Sequence, residues 1–238
     1  MDIEYAAQTL WEGIQRKEHL PPAWRGKLSA AQGYAVQLAI MRRMIAQGSV
    51  QAGWKVGLTS AAMRAQQGVP EPCFGFLLRS GHFRSGARFS MDELIAPGIE
   101  NELCLTIGER LEGPRVTFDQ ARRSIVSVEP ALELAEVRGD FAADLNLAVA
   151  DNAQQKAFVT GAPQPFDSRL PLSETRLDLR LNGEPTATAT GVEVMGDPVH
   201  SVAWLANKLA PYGIALEPGM RVMSGSFTRQ YAVKRGDT

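Results

Sequence analysis

The sequence predicts an α+β fold in which a helical N-terminal layer lies on a strand-rich body. Three observations lead there. The first fifty residues carry apolar positions at helical spacing, and from Trp54 onward the apolar segments become short and are bounded by Gly or Pro. A 238-residue chain that is 45% hydrophobic and 21% charged has enough apolar material for one principal domain with a large core. The expected division is a helical segment over 1–52 packed on a β-rich body over 53–238.

Taken in order, the first helix is expected over 3–16 and is ended by His19-Leu20-Pro21-Pro22, since proline can neither donate its amide nor continue the turn. The second opens on Ser29-Ala30-Ala31-Gln32, a capping-box spacing. It continues through Tyr34, Leu38, Met41 and Ile45, and Gly48 stops it. Strands are expected over 54–58, 74–78, 99–107, 127–137, 176–181, 186–190 and 221–224. Asn182-Gly183 marks a hairpin between two alternating runs, with Glu184 and Pro185 lengthening its loop. Further helices are expected over 117–125, 140–149 and 197–210, the last with Pro198 just inside its start.

Charge and composition narrow the partners. Twenty-five Lys and Arg against 26 Asp and Glu leave a net charge of −1, so no basic excess is present to hold a nucleic-acid backbone. Cys73 and Cys104 show no metal-like pairing and no disulfide framework, which suits a reducing compartment. The N-terminus carries early acids rather than a basic, apolar and small-residue succession, and charged residues or Gly interrupt every long apolar run. A cytoplasmic protein that neither crosses nor binds a membrane is expected.

The segment Ile99-Glu100-Asn101-Glu102-Leu103-Cys104-Leu105-Thr106-Ile107 is the most informative. As a strand, its period of two turns Glu100, Glu102, Cys104 and Thr106 to one face and Asn101, Leu103, Leu105 and Ile107 to the other. Two adjacent carboxylates fit either a solvated strand face or a site for a hard divalent cation such as Mg2+ or Mn2+, which relieves their repulsion. A third oxygen donor would come from Glu133 in an apolar run, with Glu129 and Glu136 as competitors that spacing alone does not separate. Lys55, between Trp54 and Val56, either snorkels to solvent or enters a dry cleft. There, desolvation and a cation would lower its pKa and suit it to proton transfer. Thr59 or Ser60 would cap a helix from about Ala61, whose free amides could receive an anion. His19, His82 and His200 have no partner spacing and read as surface or capping residues. The Cys73 thiol reads as packing.

Gly53-Trp54-Lys55-Val56-Gly57-Leu58-Thr59-Ser60, Glu100-x-Glu102, Pro130-Ala131-Leu132-Glu133, Ala150-Asp151-Asn152-Ala153, Gly196-Asp197-Pro198 and Ser224-Gly225-Ser226-Phe227-Thr228 occur in this order. Together they resemble the 2-keto-4-pentenoate hydratase and 4-oxalocrotonate decarboxylase branch of the fumarylacetoacetate hydrolase superfamily. The resemblance implies a mixed β-roll body and a ring-like homo-oligomer. It implies Mg2+ or Mn2+ held by Glu100, Glu102 and Glu133, with Lys55 in the active site and Thr59, Ser60, Cys73, Gln155 and Ser226 around the substrate.

The reaction so implied is hydration of a 2-hydroxy-2,4-dienoate to a 4-hydroxy-2-oxo acid. The alternatives are decarboxylation of a 2-oxo-3-hexenedioate on the same scaffold, enol-keto tautomerisation of a 2-oxo acid, or a non-catalytic subunit complexed with a homologous hydratase or decarboxylase. Two departures bear on the choice. Pro72-Cys73-Phe74-Gly75 lacks the acid that the family's hydratases place at position 73, as its decarboxylases also do. Gln154-Gln155-Lys156 stands where small hydroxyl residues are usual, and Gln155 could donate in place of a hydroxyl. Val56 and Ser224-Gly225-Ser226-Phe227 look more like the hydratases. The family also continues for a strand or two beyond Arg235-Gly236-Asp237-Thr238.

Overall fold

The computed structural model describes residues 2–61, 64–65, 68–169 and 171–238. Two N-terminal helices come first, α1 (Ile3–Gln15) and α2 (Ala30–Ala46). Asp2 caps α1 by accepting from the amides of Glu4 and Tyr5, and Ser29 and Gln32 complete the capping box of α2. The strands are β1 (Gln51–Gly57), β2 (Cys73–Leu78), β3 (His82–Arg84), β4 (Pro97–Ile107), β5 (Ile125–Glu136), β6 (Gln155–Thr160), β7 (Gln164–Pro165), β8 (Arg176–Leu181), β9 (Glu184–Thr190), β10 (Arg221–Met223) and β11 (Tyr231–Ala232). Three further helices are α3 (Phe118–Ser124), α4 (Leu145–Ala150) and α5 (Pro198–Leu209), capped by Thr117, Asp144 and Asp197.

Among the described residues nine strands form one mixed sheet in the order β2-β1-β10-β4-β5-β6-β3, with β11 added to β4 and β7 to β5. Its two faces have different jobs. Trp54, Val56, Leu103, Leu105, Ile107 and Val222 point into the main core, where Ala6 and Leu10 of α1, Val36 and Ile40 of α2, and Val202, Leu205 and Leu209 of α5 cover them. The other face curls around a small second cluster of Leu77, Cys104, Ala131, Phe158 and Met223. Alternation along β1 and β4 therefore sends Lys55, Glu100 and Glu102 to the side away from the helices. The helical layer is joined to the body by more than apolar contact. The buried Gln37 amide on α2 donates to the carbonyls of Phe74 (2.9 Å) and Val149 (2.7 Å), tying it to β2 and α4.

Several sequence expectations change. Asn182 (φ 57°) and Gly183 (φ 83°) alone form the hairpin turn, and Leu181 pairs with Glu184. Glu184 and Pro185 therefore belong to β9, and the irregularity falls between Leu179 and Arg180 instead of lengthening the loop. Helix over 140–149 shrinks to α4, because the Asp140 carboxylate accepts from the amides of Ala142 and Ala143 in a turn, and Asp144 caps the shorter helix. Strands β3, β6, β7 and β11 carry no clear alternation and were not expected; Gln155 and Lys156 begin β6. The helix expected from about Ala61 runs over Ala62, Met63, Gln66 and Gln67, which lie outside the described residues.

Candidate active site

Strand direction gathers the site at one end of the sheet. β1 runs parallel to β10; β10 is antiparallel to β4, and β4 to β5. Strands β1, β10 and β5 therefore end where β2, β4 and β6 begin. A cavity of about 640 Å3 opens there, lined by Lys55, Thr59, Ser60, Cys73, Glu100 and Ser226 among others. These come from distant stretches of chain.

Register then selects the carboxylates. Glu100 pairs directly with Glu133, whereas Cys104 pairs with Glu129 and Pro97 with Glu136. Glu129 is drawn away toward Arg84 (3.1 Å) and Arg221 (3.8 Å). Glu136, of opposite parity, accepts from Lys156 (3.1 Å) and the Ile95 amide. One oxygen each of Glu100, Glu102 and Glu133 lies within 4.8 Å of the others. Around a six-coordinate Mg2+ adjacent oxygens are about 3 Å apart and opposite ones about 4 Å, so small side-chain adjustments would bring all three onto one ion.

The electrostatics of this trio are unbalanced. Glu102 is 1% exposed and Glu133 0% exposed. The Gly225 amide donates to Glu102 Oε2 at 2.7 Å, but Glu102 Oε1 and both Glu133 oxygens have no hydrogen-bond donor. Lys55 Nζ, 3.3 Å from Glu133 Oε1, is the facing cation. Burial opposes its charge, yet Glu133, Glu100 and Glu102 together outweigh that and hold the ammonium well above its ordinary pKa. The three carboxylates thus keep Lys55 protonated, outweighing the lowering that desolvation alone would bring. Burial pushes Glu133 up to about 7 despite the pull of Lys55, and burial with its two acidic neighbours raises Glu102 as well. Orphaned carboxylate oxygens that converge on one point are the donor set a hard divalent cation needs, and its two positive charges offset what Lys55 leaves uncompensated.

Two backbone devices hold the groups in place. The segment after β10 lies along β4, with Phe227 N donating to Asn101 O (2.9 Å) and Asn101 Nδ2 to Thr228 Oγ1 (2.6 Å). Within it Gly225 has φ +108°, and a Cβ there would sit 2.4 Å from Thr59 Cγ2, so only glycine lets Thr59 pack against the loop that steadies Glu102. On the other side Asn152, Ala153 and Gln154 are all left-handed, at φ 57°, 49° and 63°. Such a run of non-glycine residues is costly and persists only where surroundings enforce it. Asn152 does so by accepting from Phe76 N at 2.7 Å and donating to Phe76 O at 2.9 Å. The turn presents Ala153 O to Lys55 Nζ at 3.5 Å. Behind it, buried Arg138 pairs with Asp151 at 2.9 Å and donates to Glu18 O at 2.8 Å, linking the turn to the N-terminal layer.

Of the residues singled out in the sequence, Gln155 does not line this cleft. Its side chain borders a separate cavity of about 480 Å3, where Asn152 Nδ2 approaches its Oε1 at 3.5 Å. Gln154 borders both cavities, but its amide donates to Gly139 O at 2.7 Å. Cys73 faces the cleft as a thiol that burial pushes up to about 11, so it stays protonated at neutral pH. Sequence reasoning missed His19 and Arg229, which also line the cleft. Nothing local distinguishes either one; folding alone brings them there.

Comparison with known proteins gives a consistent picture. The family model described as fumarylacetoacetate (FAA) hydrolase C-terminal matches residues 54–238. The chain is 35% identical over 224 residues to a 2-oxo-hept-4-ene-1,7-dioate hydratase of Escherichia coli, covering 89% of this chain and 82% of that one. It is 32% identical over 240 residues to a 2-keto-4-pentenoate hydratase of Paraburkholderia xenovorans, covering 98% and 88%. Among solved structures, the 4-oxalocrotonate decarboxylase of Pseudomonas putida G7 complexed with magnesium and adipate superposes with a TM-score of 0.93 at 30% identity, covering 99% of this chain and 90% of that one.

Proposed function

Because the chain belongs to the fumarylacetoacetate hydrolase C-terminal family, we propose that it is a divalent-metal-dependent lyase that hydrates a 2-hydroxy-2,4-dienoate to a 4-hydroxy-2-oxo acid. The observation that carries this reading is the convergence of Glu100, Glu102 and Glu133, with buried oxygens that no hydrogen bond satisfies, beside Lys55 in a cleft large enough for a small acid. Mg2+ or Mn2+ held by these carboxylates would bind the 1-carboxylate and 2-oxygen of the substrate and stabilise negative charge that develops on that oxygen.

The chain's own residues supply the rest. Lys55, fixed between Glu133 and Ala153 O, is the group able to carry a proton to or from the dienoate chain. Conversion of the dienol to the 2-oxo-3-enoate moves its hydroxyl proton to C5. Water then adds at C4 while C3 takes up a proton, so atoms balance with one water consumed. Thr59, Ser60 and Ser226 border the cleft as neutral hydrogen-bonding groups for the substrate's carboxylate and for water.

Decarboxylation of a 2-oxo-3-hexenedioate is the second reading. It is favoured by the protonated Cys73 thiol, which cannot serve as a base for water at neutral pH. Loss of dienoate absorbance and release of carbon dioxide from the hexenedioate, followed in parallel on the purified chain with Mg2+ or Mn2+, separate the two. Turnover of neither substrate removes both and leaves the tautomerase or the non-catalytic partner subunit. Homo-oligomerisation belongs to the same proposal and is read by sedimentation velocity. No described helix is long and apolar enough to cross a membrane.

A further inference from the structure

We propose that Arg229 receives a second carboxylate at the far end of the substrate, so that the substrate is a dicarboxylate, a 2-hydroxydienoate of six or seven carbons that keeps both acid groups. The inference rests on the hydratase reading and adds the substrate class to it.

Charge is unevenly placed around the cleft. Strand β4, which carries Glu100, lies between β10 and β5 in the sheet, and the segments after those two strands rise on either side of it. The charged cationic side chains among the described lining residues are Lys55 and Arg229. Lys55 is engaged with Glu133 at the metal end. Arg229 stands on the β10 side, with no carboxylate in ion-pair distance among the described residues; its guanidinium lies over the Tyr231 ring, 4.6 Å from the centroid. A guanidinium held over an aromatic face by cation–π attraction spends no N–H donor on it, which leaves those donors for a carboxylate.

Arg229 is also held from both sides. Thr228 before it is bonded to Asn101, and Tyr231 after it pairs with Ile99 of β4. The Gln230 side chain covers Gly98 so closely that a Cβ there would come within 2.6 Å of it. The opposite, β5-side segment presents Asp140, whose carboxylate would repel an anion. An extended acid whose 2-oxo end lies at the divalent-ion site of Glu100, Glu102 and Glu133 therefore finds, among the described lining residues, its unengaged cationic wall on the Arg229 side.

This arrangement also bears on the reaction. Loss of carbon dioxide from a 2-oxo-3-hexenedioate breaks the bond to the far carboxyl and moves its electron pair into the chain to give the dienolate. A guanidinium that pairs with that carboxylate stabilises the starting anion more than the transition state, in which the charge has left it. The same contact does not hinder hydration, where the far carboxylate is a spectator. Arg229 thus favours retention of both acid groups.

The test uses 2-oxoadipate and 2-oxohexanoate, which share a carbon chain and differ only in the far carboxylate. Calorimetric titration into the Mn2+-loaded protein is expected to show 2-oxoadipate bound about tenfold more tightly or better. Arg229→Gln is expected to abolish that preference, and Arg229→Lys to keep part of it. Equal binding of the two acids by the unaltered protein, or a preference that survives Arg229→Gln, overturns the proposal. Turnover is measured alongside with 2-hydroxypenta-2,4-dienoate and 2-oxohept-4-ene-1,7-dioate. A binding preference that depends on Arg229 without hydration of either substrate leaves the subsite standing and removes the hydratase reading. Hydration without the preference does the reverse.

Discussion

Replacing Glu133 by glutamine should make the metal-free protein more stable while taking away its response to metal. The reason lies in the charge balance of the buried cluster. Burial raises the Glu133 carboxyl from 4.5 to about 7, with the attraction of Lys55 already acting against that rise. Between those values the native state keeps a proton that the unfolded chain has released, so stability falls as pH rises from 4.5 toward 7. Above pH 7 the whole penalty is present. At 1.36 kcal/mol per pH unit the shift corresponds to about 3 kcal/mol. Glutamine has the shape of the protonated acid and no charge to bury. In EDTA at pH 8, Glu133→Gln is therefore expected to melt about 6–12 °C above the unaltered protein, the range that ~3 kcal/mol gives for a chain of this size. At pH 5 the gap should narrow sharply. Manganese at a hundred times its dissociation constant should add about 2.7 kcal/mol to the unaltered protein and little to the variant. Differential scanning calorimetry of both proteins reads all three conditions. A variant no more stable than the parent in EDTA at pH 8, or one that gains as much from Mn2+, would refute this account of the site.

Three other perturbations probe the same geometry. Lys55→Met should lower turnover about a hundredfold or more while Mn2+ affinity is kept or strengthened, because the ammonium 3.3 Å from Glu133 no longer competes for it; steady-state kinetics and calorimetry on one preparation check this. Asn152→Ala removes both bonds to the Phe76 backbone and leaves alanine in a left-handed conformation; urea unfolding should show a loss of about 3 kcal/mol, with kcat reduced as Ala153 O shifts from Lys55. Arg138→Met leaves Asp151 buried without its partner and should cost about 3–5 kcal/mol. Burial already pushes the Asp151 carboxyl up to about 7, and losing Arg138 raises it further. The variant's deficit should therefore be larger at pH 8 than at pH 5, as urea midpoints at the two values would show.

Much of the fold and site was legible in the chain because it is encoded within a few residues. The Ser29-Gln32 capping box, the Asn182-Gly183 turn and the pairing of Glu100 with Glu102 on one strand face all depend on local spacing, and local spacing survives folding. Where local signals competed, the reading failed. Asp140 and Asp144 both offer to start a helix, and the first is used in a turn instead.

The sequence by itself determined that two carboxylates share a strand face and that a lysine flanked by apolar residues lies in a short strand, since a period of two leaves no freedom in either. Only the tertiary structure decided which acid completes the trio. Glu129, Glu133 and Glu136 occupy similar apolar surroundings in the chain, and the register of β5 on β4 alone sets Glu133 opposite Glu100 and sends its neighbours to Arg84 and Lys156. The left-handed turn at Asn152 and the arrival of Arg229 at the cleft likewise belong to contacts between residues far apart in sequence. Such contacts leave no local pattern, because what selects them is the packing of whole strands and loops on one another.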